Sequence, residues 1–145
     1  MSDSDNFQVK VEAEVYPTED LEKVRRALLN LFPDLNFKVK QSDSFKKILT
    51  GNSSEKNALI NLKQLIMRER IRDAARSTIF SNMLNDSAIF YLNKQAAYAD
   101  HISFCMPNGE SPLGPIKITL KGKNLQQLID WLAPSSKSVR AHRLS

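Results

Sequence analysis

The chain has 145 residues, a formal net charge of +5, and a single cysteine. That length suits one domain able to bury about two thirds of its unfolded surface without covalent staples. Lone Cys105 excludes an internal disulfide, and one Cys with two His builds neither a zinc ribbon nor a zinc finger, so no metal and no cofactor is expected.

The opening residues MSDSDNFQVK are acidic and polar where a secretory signal is basic and then apolar, and no apolar run reaches membrane-spanning length. The expected location is the cytoplasm, with no membrane contact. Charge is uneven along the chain: residues 1–34 sum to −4, 35–76 to +6, 77–116 to −2 and 117–145 to +5. A polyanion is expected to approach from one side only.

Phe7, Val9, Val11, Ala13 and Val15 alternate with polar residues, which predicts a half-buried strand that Tyr16-Pro17 ends. Thr18 is placed to cap a helix whose stripe is Leu21, Val24, Leu28 and Leu31, closed by Pro33. Leu35, Phe37 and Val39 predict a second strand and Phe45–Leu49 a weaker third, with Gly51 and the following serines as a turn.

Ser54 then caps a helical stretch reaching Phe80. Its apolar stripe changes face between Leu59, Leu62, Leu65, Ile66 and Ile71, Ala74, Ala75, so a break is expected near Met67–Glu69. Asn82–Ser87 reads as loop, Ala88–Leu92 as a short strand, and Asn93–Ala99 as a turn of helix. Ile102, Phe104 and Met106 alternate as a strand, MPNGESPLGP is a long turn, and Ile116, Ile118 and Leu120 mark the last strand. Asn124 opens a closing helix that Pro134 stops.

These elements predict an α+β fold, a two-layer domain with a mainly antiparallel sheet of about five or six strands and helices packed on one face. The domain spans residues 1–134, and 135–145 form a basic, disordered tail carrying Lys137, Arg140 and Arg143.

Arg68, Arg72 and Arg76 recur every fourth residue and would share one helix face, a spacing suited to phosphates, although Glu69 and Asp73 can neutralise that field. Lys117 and Lys121 lie on the polar side of the last strand, as phosphate contacts or as guards of a sheet edge. Phe90, Tyr91 and Tyr98 near Lys94 invite base stacking, but adjacent Phe90 and Tyr91 must face opposite sides, so at most one is free. Asn93, Gln95, His101, Glu110 and Ser111 make up an unusual polar segment. With Cys105 they match no catalytic signature, so no catalytic residue is assigned and a non-enzymatic role is favoured.

The run VEAEVYPTEDLEKVRRALLNLFPD at 11–34, RERIRDAAR at 68–76, FYLNKQAAYADHISF at 90–104, GESPLGPIKITL at 109–120 and LIDWLAP at 128–134 together resemble an archaeal family of uncharacterised, predicted RNA-binding proteins. The resemblance implies a fold like the large-subunit ribosomal protein that binds 5S rRNA, and RNA as the partner. Arg68, Arg72, Arg76, Lys94, Lys117 and Lys121 are the expected RNA-binding residues, on a basic face that joins the middle helix to the closing strand. A homodimer paired through the 93–115 surface is the alternative, and an enzyme acting on a small anionic substrate comes third.

Overall fold

The computed structural model describes residues 7–42, 45–106 and 114–135. In β1 (Phe7–Val15) every odd-numbered side chain is buried while the even-numbered ones reach solvent. The strand takes an antiparallel neighbour on each edge. β3 (Lys47–Ser53) sets Ser53 opposite Val9 and Lys47 opposite Val15, while β7 (Ile116–Gly122) sets Gly122 opposite Phe7 and Ile116 opposite Ala13. β2 (Lys38–Gln41) continues the sheet beyond β3, and β5 (Ser87–Leu92) beyond β7. The short β4 (Met83–Leu84) and β6 (Phe104–Cys105) share the far side of β5. The seven strands run in the order β2-β3-β1-β7-β5-β4, with β6 also beside β5.

Because side chains alternate across a strand, this register gathers all inward residues on one face. Helices α1 (Leu21–Leu31), α2 (Asn57–Arg68), α3 (Arg72–Ser81), α4 (Lys94–Tyr98) and α5 (Leu125–Leu132) cover that face. Their Leu28, Leu62, Ile79 and Ile129 join Val9, Val11, Phe90 and Ile118 in one core. The result is the expected two-layer α+β architecture, with a larger sheet than expected. Among the described residues no helix is long and apolar enough to cross a membrane.

Local chemistry departs from the sequence reading in several places. Asp20, not Thr18, caps α1, its carboxylate accepting from the Glu22 amide at 2.9 Å. Gly51 is no turn: β3 runs straight through it, and a Cβ there would come within 3.0 Å of the Phe37 ring, so glycine makes room for that ring against the sheet. The segment read as loop at 82–87 contains a hairpin, β4 turning into β5 through Asn85 and Asp86, with Asn85 at φ 58°. Of the strand expected around Ile102–Met106 only Phe104 and Cys105 pair.

The α2–α3 break falls at Glu69–Ile71, just past the expected position. Its geometry is a Schellman motif: the Ile71 amide donates to Ile66 O at 3.1 Å and the Arg70 amide to Met67 O at 3.2 Å, with Arg70 at φ 58°. The same closure ends α4, where Asp100 sits at φ 62° and the His101 amide donates to Ala96 O at 2.9 Å. Side chains other than glycine are strained in this left-handed region. Arg70→Gly should therefore stabilise the fold by about 0.5–1 kcal/mol after the extra unfolded-chain entropy of glycine is offset, read as a higher midpoint in urea denaturation.

Candidate nucleic-acid interface

Among the described residues no helix packs on the face of the sheet opposite the helix layer. Register sets that face's polar side chains in rows: Asn52, Lys10, Thr119 and Ile89 lie side by side across β3, β1, β7 and β5. Lys38, Thr50, Glu12, Lys117 and Tyr91 form the next row, and Gln8, Lys121 and Ser87 a third. A depression of about 440 Å³ lies over the middle of these rows, lined among others by Lys10, Lys117, Lys121 and Glu12. It adjoins a second, of about 540 Å³, that adds Lys123 and Asp86 and shares Gln8, Ser87 and Lys121. Four lysines thus face two carboxylates along one trough, and the one ion pair resolved within it, Lys10 Nζ to Glu12 Oε2, is a long 3.6 Å.

Lys117 and Lys121 belong to this face, but the arginines do not join them. β7 points Ile116, Ile118 and Leu120 into the core and so turns its lysines away from the helices. Arg68, Arg72 and Arg76 lie in the helix layer on the other side, divided between α2 and α3 by the break. Arg76 is held at 2.5 Å from Asp130 Oδ1, with its guanidinium over the Phe80 ring. Arg68 donates to Asp100 O at 2.5 Å and lies 3.3 Å from Glu69 Oε2. Arg72 lies close enough to Lys63 to add its repulsion to the burial that lowers that ammonium below its ordinary pKa. A single basic face uniting helix and strand is therefore corrected to two surfaces, one on each side of the sheet.

Lys94, expected at an RNA surface, is the most buried charge described, with 1% of its side chain exposed. Its Nζ donates to Glu14 O at 2.7 Å and to both Glu19 carboxylate oxygens at 3.1 Å, and lies over the Tyr16 ring. Burial pulls its pKa down while Glu19 and Glu14 oppose that shift. Asn93 caps α4 by accepting from the Ala96 amide at 2.9 Å. Gln95 is exposed on α4, and His101 Nδ1 meets Glu69 Oε2 at 2.6 Å. Lys94 and His101 therefore sit at opposite ends of α4 with different partners. Glu110 and Ser111 lie outside the described residues, as do Lys137, Arg140 and Arg143.

Lys10, Glu12, Lys38, Asn52 and Thr119 were not singled out from the sequence. Alternation marks Lys10 and Glu12 as solvent-facing, but only the pairing of β1 with β7 reveals that they border Lys117 and Lys121.

A family model described as RNA binding matches residues 8–122, from β1 to the end of β7. A UPF0201 protein of Thermococcus onnurineus is 48% identical over 130 residues, covering 90% of this chain and 93% of that protein. The chain belongs to the UPF0201 family. Another UPF0201 protein, from Pyrobaculum calidifontis, is 44% identical over 129 residues, covering 88% of this chain and 90% of that one. The crystal structure of a UPF0201 protein from Methanococcus jannaschii superposes with a TM-score of 0.79 at 30% identity, covering 89% of this chain and 94% of that one. The residues that match the family model hold every strand of the sheet and stop short of α5.

Two electrostatic consequences can be measured. Removing the Lys94 ammonium leaves the Glu19 carboxylate, 4% exposed, without its partner. Lys94→Ala should cost about 3–5 kcal/mol in equilibrium unfolding. For Glu69, burial pushes the carboxyl up, but the bonds from His101 and Arg68 outweigh it and hold the group below its ordinary pKa. A depressed carboxyl contributes stability above its unfolded pKa, and that contribution is lost as pH falls through the folded value. Urea midpoints taken at pH 7 and again below pH 4.5 should thus converge more closely in Glu69→Gln than in the unmodified chain.

Proposed function

We propose that this protein binds RNA without catalysing a reaction on it, and that the open sheet face is where it does so. The observation that carries this reading is the gathering of Lys10, Lys117, Lys121 and Lys123 along one trough that no helix of the described residues covers, in a family whose model is described as RNA binding. A strand face rich in lysine, amide and hydroxyl groups suits phosphate and base contacts together. The family resemblance read from the sequence, which implies a fold like the ribosomal protein that binds 5S rRNA, supports the same reading. Lys94, Arg68 and Arg76 are left out of the contact surface because each is already bound within the fold.

Four phosphate contacts predict a salt slope near −3, so affinity for short RNA should fall roughly 50-fold between 50 and 200 mM salt. Fluorescence anisotropy with labelled RNA tests this. Replacing Lys117 and Lys121 together by Ala should weaken binding and shallow the slope by about 1.5, while Arg72→Ala on the helix layer should leave both unchanged. Salt-independent binding, or equal loss on both sides of the sheet, argues against the reading.

A further inference from the structure

The open face is not uniformly basic, and where its carboxylate stands is informative. Glu12 lies between Thr50 and Lys117 in its row, with Tyr91 one strand further, while Lys10, Lys121 and Lys123 lie toward the other end of β1 and β7. A phosphate track would be repelled at Glu12 and attracted along the lysines. A base has the opposite preference, since a carboxylate accepts from exocyclic amino groups. Across Lys117 from Glu12, Tyr91 is half-buried on the open face, and Ile89 in the neighbouring row adds apolar surface, as stacking requires. Among the described residues Glu12 is paired by the long contact to Lys10, at 3.6 Å with both side chains partly exposed, so a ligand can displace that pair.

Building on the RNA reading, we propose that the ligand is single-stranded RNA, with phosphates along Lys10, Lys117, Lys121 and Lys123 and one base over the Tyr91 side, and that Glu12 selects a base bearing an amino group. A paired base has its amino group engaged in the duplex, so double-stranded RNA loses this contact. Uracil presents a carbonyl where cytosine presents its amine, and sets oxygen against oxygen at Glu12.

Oligocytidine and oligouridine of equal length have the same charge and similar rings, so their ratio isolates the carboxylate. The unmodified chain should bind oligocytidine about tenfold tighter than oligouridine, and tighter than a duplex of the same length. Glu12→Gln can donate as well as accept, so the ratio should fall toward one or invert, even though loss of a negative charge raises affinity for both. Glu12 is solvent-facing, and a circular dichroism melt checks that the variant folds. Binding of both oligomers with equal affinity, a ratio unmoved by Glu12→Gln, or a preference for duplex overturns the base-selection proposal and leaves RNA binding standing. Failure of every RNA to bind overturns the RNA reading itself.

Discussion

The structure depends on β1 being flanked on both edges. Its strict alternation would orient one strand alone, but pairing with β3 and β7 carries the same division across the sheet, so that Val11, Gly51 and Ile118 lie inward in one row and Glu12, Thr50 and Lys117 outward in the next. The inward face demands cover, which the five helices provide. Among the described residues no helix covers the outward face, which presents a polar surface.

A second constraint ties the opening of α1 to the middle of the chain. Lys94 reaches back to Glu14 and Glu19, which stand at the end of β1 and just ahead of α1. Glu14 is in turn bonded to Lys46 at 2.9 Å and to the Tyr16 hydroxyl at 2.8 Å, and the Lys46 bond, working against burial, holds its carboxyl below the ordinary range. Five polar side chains thus lock three distant stretches of sequence together. The unusual polar segment after Phe90 accordingly has architectural duties: Asn93 caps, Lys94 anchors, and His101 with Asp100 joins the ends of α4 and α2.

Much of this was legible beforehand. Period-two runs located β1 and β7, a short strand was read at β5, the changing apolar stripe announced the α2–α3 break, and single-face alternation gave the fold class. What escaped had physical reasons. Gly51 reads as a turn because its real cause, the Phe37 ring, comes from the connection just ahead of β2. Lys94 reads as a surface cation because nothing local tells that Glu19 is its partner. The separation of Arg76 from Lys117 follows from which sheet face the helices cover, since β7 turns Lys117 away from the layer that holds Arg76, and that choice of face is made by packing and not by composition. Tyr91 and Phe90 do divide as adjacent strand residues must, Phe90 into the core and Tyr91 outward.

The two margins of the sheet are closed in different ways. On one side β2 presents Lys38, Lys40 and Gln41, all exposed, and on the other β4 and β6 are two residues each and leave no long run of unpaired backbone. Charge and brevity both discourage an extended peptide from docking as an extra strand. Recognition by this molecule is thereby a matter of side chains on a surface and not of backbone zippering, which also protects it from the edge-to-edge growth that leads to fibres.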